Sequence, residues 1–272
     1  MPFAPPLADL IQRFEPVATR QDLVLPKEQL RVLDQIAMEW CAKNRNTANE
    51  GIAAKTGRVV GALFAGPSGT GKTMAAEALA NQTQLALYSI DLGRVVGKYL
   101  DKTEKNLDAL FDAAQEADAL MFFDEADALF GKRSEVADGH DRYANIEAGY
   151  LLQRIEDYRG IVILATNLKQ NIDPAFLRGF PYMVEFTLPD MKQRIDIWRR
   201  IFPPDTPVEG LDPERLARLP LSGANIRVIA RSSASLAAGE GQPVGMGHLL
   251  RAARSECAKI DRPIDVAAIA RR

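Results

Sequence analysis

The chain has 272 residues, of which 47% are hydrophobic and 26% charged, and its formal net charge is −2. This composition predicts a soluble globular protein of one large or two modest domains, and it lacks the basic excess that marks a nucleic-acid binder. The two cysteines and two histidines lack metal-ligand spacing, and no signal sequence or membrane-spanning apolar run is found, so the sequence argues against a zinc enzyme and predicts a cytoplasmic protein with free thiols.

The N-terminal residues 1–25 are rich in proline and are predicted to be irregular, with at most one helical turn at residues 8–14. Pro26 is well placed in the first turn of a helix. The apolar residues that follow share one face at helical spacing: Leu30, Leu33, Ile36, Ala37 and Trp40. Residues 43–58 are polar and are predicted to be a loop.

A glycine-rich segment follows the apolar run at residues 59–65. Residues 66–73 read GPSGTGKT, which matches the G-x-x-x-x-G-K-[ST] pattern of a phosphate-binding loop. The predicted nucleotide ligands are Gly66, Pro67, Ser68, Gly69, Thr70, Gly71, Lys72 and Thr73. Glycine leaves backbone N–H groups open to phosphate oxygens, Lys72 adds an ammonium group, and Thr73 offers a hydroxyl to Mg²⁺. The strand-like run before the loop and the helix-like residues 74–81 after it favour this interpretation over a plain glycine-rich turn.

Strand-like and helix-like segments alternate after the loop. The predicted strands are 85–90, 119–123, 161–166 and 182–188, and the predicted helices are 103–116 and 143–157. Such alternation, with strands that are apolar throughout, indicates a parallel sheet covered on both faces. Beyond Pro189 only helical segments remain. The prediction is therefore an α/β P-loop NTPase, in which an N-terminal segment (1–25) precedes a three-layer nucleotide-binding domain with a parallel sheet (26–190) and a small all-helical lid domain (191–272).

Polar residues follow two of the apolar strands. Asp124 and Glu125 come directly after residues 119–123, and Asn167 follows residues 161–166. Asp124 is predicted to hold Mg²⁺ through its waters, and Glu125 to polarise the attacking water as a general base. If the two strands are neighbours, the Asn167 amide lies close to the γ-phosphate; the alternative is an ordinary turn residue.

The ordered motifs GPSGTGKT, FFDEADALFGKR, ILATN, IDPAFLR and SGANI resemble the AAA+ ATPase family, and within it the AAA proteins proper of the bacterial single-module type. The resemblance extends from about residue 22 to about residue 260. It implies an ATP-driven ring, usually a hexamer, that uses ATP and Mg²⁺. It also implies that Asn167 is the sensor-1 residue and that Arg178 is an arginine finger serving a neighbouring subunit, with a solvated surface arginine as the alternative.

Three segments depart from the family pattern or leave alternatives open. Gly179, Phe180 and Pro181 follow Arg178, where a second arginine is usual. SGANIR also lacks the sensor-2 arginine of many relatives at its usual place; Arg227 is expected to be a structural arginine of the lid, and the alternative is that it substitutes for sensor 2. Tyr99 matches the aromatic residue of pore loop 1, which grips an extended polypeptide; the alternative is a tyrosine packed on its own domain. Residues 131–142 are a second pore loop or a plain surface loop.

The resemblance implies an ATP-hydrolysing ring that remodels or disassembles a protein partner. Similar bacterial single-module proteins include some that accompany phage-tail-like contractile assemblies, so a component of such an assembly is one expected partner. A nucleic-acid motor or loader is the first alternative; Lys98, Lys102 and Arg133 favour it, whereas the net charge weighs against it. The second alternative is an ATP-dependent scaffold or switch. No membrane partner is expected.

Overall fold

The computed structural model describes residues 11–49, 59–93, 103–127, 149–167, 172 and 179–259. Tyr99, Arg178 and residues 131–142 lie outside these described residues. The chain divides into two compact units. The first comprises Met1–Pro67 and Lys72–Phe186, and the second comprises Ser68–Gly71 and Thr187–Arg272.

The first unit is built on a six-stranded sheet. Its strands are β1 (Ile11–Phe14), β2 (Val60–Ala65), β3 (Ala86–Asp91), β4 (Ala119–Asp124), β5 (Ile161–Thr166) and β6 (Tyr182–Glu185). They lie in the order β1-β3-β4-β5-β2-β6. All neighbouring strands are parallel except β1, which pairs antiparallel with β3. The predicted α/β fold around a parallel sheet is confirmed, with one antiparallel edge strand added.

The central strands are apolar along their whole length because both faces of the sheet are covered. Every residue of β2 and β5 is buried, and so are the first five of β4. Alternate side chains enter two cores. One core contains Met121, Val162 and Leu63, and the other contains Phe122, Ile163 and Phe64.

The helices of the first unit are α1 (Lys27–Asn49), α2 (Lys72–Thr83) and α3 (Thr103–Glu116), and residues 149–157 are also helical. The predicted loop at 43–58 is wrong at its beginning, since α1 continues to Asn49. The segment 43–49 contains neither glycine nor proline, so nothing in it stops a helix. The loop was predicted because the side chains of this segment are polar, but polar side chains are compatible with an exposed helix.

The N-terminal segment is attached to the sheet and to α2. Residues 11–14 form β1, so the predicted helical turn there is wrong; only Ile11 of the four is buried, opposite Ile90 of β3. Beyond β1, Glu77 Oε1 accepts the backbone N–H groups of Val17 and Ala18 at 2.7 and 3.1 Å. These contacts fix the segment on the helix that follows the phosphate-binding loop.

The second unit contains the helices α4 (Met191–Arg200), α5 (Pro213–Leu216), α6 (Gly223–Glu240) and α7 (Met246–Lys259). Two helix starts carry capping boxes, formed by Asp190 with Gln193 and by Ser222 with Asn225. The helices enclose their own apolar core around Trp198, which is 1% exposed. The other tryptophan, Trp40, packs against the core of the first unit.

Two further sequence predictions concern the cysteines and a membrane span. Cys41 and Cys257 are not joined by a disulfide bond; Cys257 is buried and Cys41 is half-buried. Among the described residues, no helix combines the length and the apolar character needed to cross a membrane.

Candidate nucleotide site

The polar segments of the site meet at one edge of the sheet. β5 lies between β2 and β4, and all three strands are parallel. Their carboxyl ends therefore face the same way, with the phosphate-binding loop after β2, Asp124 and Glu125 at the end of β4, and Asn167 after β5. This edge is where open α/β sheets bind their ligands.

The loop conformation requires glycine at three positions. Gly66, Gly69 and Gly71 have φ angles of +151°, +77° and +105°, a region that L-residues rarely adopt. At Gly66 a Cβ atom would also lie 2.0 Å from the carbonyl oxygen of Phe186. These positions leave the backbone turned so that N–H groups and the start of α2 can face a phosphate.

The remaining loop residues differ in exposure. Pro67 and Ser68 are exposed, Thr70 is half-buried, and the Thr73 side chain is exposed in the first turn of α2. Ser68–Gly71 belong to the second unit, in which the Gly69 carbonyl accepts the N–H of Ala224 at 3.1 Å.

Lys72 lies at the centre of the site, although it is only 7% exposed. Its Nζ atom donates to the carbonyl oxygens of Gly66 and Pro67 at 2.6 and 3.2 Å and to Asn167 Oδ1 at 2.8 Å. Burial lowers the pKa of Lys72, and the carboxylates of Asp124 and Asp127 counteract that shift. The ammonium group therefore contacts both the loop and the residue after β5.

The acidic pair lies beside the loop with its backbone turned sharply. Glu125 has a φ of +55°, which is uncommon for a residue with a side chain, and its N–H donates to Asp124 Oδ1 at 2.9 Å. Glu125 is exposed, whereas Asp124 is half-buried. An exposed carboxylate next to a half-buried one suits the two predicted roles, a general base in contact with water and an anchor for a cation.

The site includes three residues that the sequence analysis did not single out. Asp91 at the end of β3 pairs in register with Asp124. A Cβ atom at Gly93 would lie 3.2 Å from Asp91 Oδ1 and 2.8 Å from Glu125 Oε2, so both carboxylates border this glycine. Asp127 accepts hydrogen bonds from Thr166 and Asn167 at the end of β5. An acid at the end of a second apolar strand, as at Asp91, is the sequence signal that could have identified the first of these.

The donor set fits the predicted magnesium ion. Mg²⁺ is usually held by only one or two protein side chains together with waters and substrate phosphates. The exposed hydroxyl of Thr73 and the carboxylate of Asp124 could supply those ligands. The described residues contain no cluster of three or more His, Cys, Asp or Glu side chains that could hold a metal ion.

Residues 62–188 match the family model described as "ATPase family associated with various cellular activities (AAA)". The AAA family ATPase y4kL of Sinorhizobium fredii is 30% identical over 190 residues, which are 70% of this chain and 56% of that protein. Residues 62–188 therefore belong to the AAA+ ATPase superfamily. The matched part of the chain is thus an ATPase domain, and the resemblance to AAA proteins is confirmed.

Two further similarities extend the comparison. The proteasome-activating nucleotidase of Pyrococcus horikoshii is 32% identical over 239 residues, 84% of this chain and 58% of that protein. The crystal structure of the FIGL-1 AAA domain in complex with ADP has a TM-score of 0.67 at 21% identity and covers 97% of this chain and 91% of that chain, which shows a common fold. The chain spans less than three fifths of the length of the two curated relatives.

Proposed function

We propose that the protein is a homo-oligomeric ATPase, assembled as a hexameric ring, that uses ATP hydrolysis to remodel or disassemble a protein partner. The observation that carries the proposal is the convergence of Lys72, Asp124, Glu125 and Asn167 at the carboxyl ends of β2, β4 and β5. A domain that only binds nucleotide needs the first of these residues but has no use for a general base beside the acid.

In the proposed mechanism the loop and Lys72 bind the phosphates, and other side chains act on the attacking water. Loop N–H groups and the Lys72 ammonium bind the β- and γ-phosphates, and Glu125 takes the proton of the attacking water. The Asn167 amide contacts the γ-phosphate or the water. Mg²⁺, held by Thr73 and Asp124, would neutralise charge that develops on the phosphate oxygens.

Arg178 completes the proposal, although it lies outside the described residues. Its place in IDPAFLR supports the role of an arginine finger that donates to the γ-phosphate in a neighbouring subunit. Hydrolysis would then require assembly. Tyr99 would grip an extended polypeptide in the channel of the ring, because an aromatic ring offers large contact area with little loss of rotamer freedom.

The partner is proposed to be a protein, which the name of one relative, a proteasome-activating nucleotidase, supports. Spastin of Anopheles gambiae is a further similar protein, 34% identical over 184 residues, 64% of this chain and 22% of that protein. The motif sequences resemble those of bacterial AAA proteins, some of which accompany phage-tail-like assemblies. A component of such an assembly is therefore the first partner to examine.

The test measures ATP turnover by the full chain with permanently unfolded casein, with single-stranded DNA and with neither. We expect casein to stimulate turnover and DNA to have no effect. The variant Glu125→Gln should bind ATP, hydrolyse it at least about 10²-fold more slowly, and sediment as a hexamer when ATP is present.

Three results would contradict the proposal in different ways. Stimulation by DNA alone would support a nucleic-acid motor. ATP-dependent hexamers that respond to neither polymer would support a scaffold or switch. A Glu125→Gln variant that remains monomeric with ATP bound would contradict the ring itself.

A further inference from the structure

One carboxylate oxygen connects the ends of β4 and β5. Asp127 Oδ1 accepts the hydroxyl of Thr166 at 3.0 Å and the backbone N–H of Asn167 at 3.4 Å. The N–H of Ala126 also donates to the carbonyl oxygen of Ala165 at 2.9 Å. The two strands are therefore tied together where the acidic pair and Asn167 leave the sheet.

Thr166 also contacts the phosphate-binding loop through its backbone. Its side chain is fully buried, so water does not compete for the hydroxyl. Its carbonyl oxygen accepts the N–H of Gly66, the first residue of the loop, at 3.0 Å. Thr166 thus touches Asp127 with its side chain and the loop with its backbone, directly before Asn167.

The orientation of the Asn167 amide follows from its contact with Lys72. An ammonium group can only donate hydrogen bonds, so the amide atom 2.8 Å from Lys72 Nζ must be the oxygen. The amide NH₂ group then points away from the lysine. It is the part of Asn167 that can donate to the γ-phosphate or to the attacking water.

We propose that Asp127 is a positioning residue for ATP hydrolysis: its bonds to the Thr166 hydroxyl and the Asn167 backbone hold Asn167 so that the amide oxygen lies on Lys72 and the amide NH₂ faces the reacting phosphate. This inference rests on the proposed role of Asn167. Side-chain position matters because displacement of a catalytic group by about 1 Å can cost about 10²-fold in rate.

The test compares substitutions that remove the bonds with substitutions that keep them. Thr166→Val retains the shape and β-branching of the side chain but loses the hydroxyl, whereas Thr166→Ser keeps it. Asp127→Ala removes the acceptor, whereas Asp127→Asn keeps an acceptor oxygen without the charge. The matched control is Thr83→Val, since the Thr83 hydroxyl bonds to the Leu79 carbonyl in the last turn of α2 at 2.7 Å.

The measurements are kcat and KM for ATP, Kd for ADP by calorimetry, and the thermal unfolding midpoint. We expect Thr166→Val and Asp127→Ala to lower kcat at least about tenfold, with Kd for ADP within about threefold of the wild type. Thr166→Ser, Asp127→Asn and Thr83→Val should keep kcat within about threefold. Rates are expressed per ADP-binding site, so a fraction of unfolded protein cannot imitate the effect.

Two results would overturn the inference: wild-type kcat in Thr166→Val, or an Asp127→Asn variant as slow as Asp127→Ala, which would show that charge rather than hydrogen bonding matters. Asn167→Ala separates this failure from failure of the proposed function. If Asn167→Ala keeps the wild-type kcat, the catalytic role of Asn167 is wrong. If it is slow while Thr166→Val is not, that role stands and only the positioning by Asp127 is wrong.

Discussion

Gly93 leaves the space that the Glu125 carboxylate occupies, and we predict that Gly93→Ala selectively slows hydrolysis. A Cβ atom there would lie 2.8 Å from Glu125 Oε2 and 3.2 Å from Asp91 Oδ1. The φ angle of Gly93 lies outside the left-handed region, so alanine introduces no backbone strain. Both contacts involve the far ends of side chains, which can move without disturbing the sheet.

The size of the effect follows from the distance. Ordinary contact begins at 3.4 Å, so the Glu125 carboxylate must retreat by about 0.6 Å. If a displacement of about 1 Å costs about 10²-fold in rate, this displacement should lower kcat about ten- to twentyfold. Affinity for ATP should stay within about threefold of the wild type, because none of the phosphate-binding groups moves.

Steady-state ATP turnover and calorimetric ADP binding test this prediction. The control is Gly239→Ala in α6, where a Cβ atom would meet nothing within 4 Å and turnover should be unchanged. In a Glu125→Gln background, Gly93→Ala should add little further loss, because the group it displaces no longer acts as a base. Wild-type kcat in Gly93→Ala, or an equal loss of ADP affinity, would refute the reasoning.

Four further predictions follow from the same site and fold. Lys72→Ala should abolish measurable ATP affinity in calorimetry while the fold survives, because the ammonium group on the phosphates is lost; wild-type affinity would refute its assignment. Arg178→Ala should bind ATP but not turn it over, and mixing it with Lys72→Ala should restore some turnover; no restoration at any ratio would contradict a finger supplied by a neighbour. Tyr99→Ala should keep basal turnover and lose stimulation by casein, with Tyr99→Phe retaining most of it; full stimulation of the alanine variant would exclude threading. Gly239→Ala should raise the free energy of unfolding of the second unit by about 0.5–1 kcal/mol in a denaturant titration, since the helix loses a flexible residue; a lower value would contradict the helical environment seen there.

The sequence was sufficient to predict the glycine-rich loop and the strands that carry the candidate site. An eight-residue motif with glycines at fixed positions is compatible with few structures other than a phosphate-binding loop. Fully apolar strands that alternate with helices are compatible with few folds other than a parallel sheet covered on both faces. The position of Asn167 was only a conditional prediction, since it depended on β5 lying next to β4. The structure satisfies that condition, and the 2.8 Å contact with Lys72 follows from it.

The parts that the sequence did not predict depend on register between distant segments. Asp91 becomes part of the site because it pairs with Asp124, and no local pattern specifies that pairing. Asp127 acquires its role from a bond to a threonine 39 residues away. β1 was missed for a related reason: a four-residue strand with one buried side chain has no alternation to detect.

Each unit contains one of the two tryptophans, so the intrinsic fluorescence of each tryptophan reports on one unit. Trp198 is 1% exposed, and its indole N–H has no hydrogen-bond partner among the described residues, so its fluorescence should be blue-shifted and quenched little by iodide. Trp40, which is only half-buried on α1, should emit at longer wavelength. Single-tryptophan versions of the chain would therefore let the response of each unit to nucleotide be followed separately, without an attached dye.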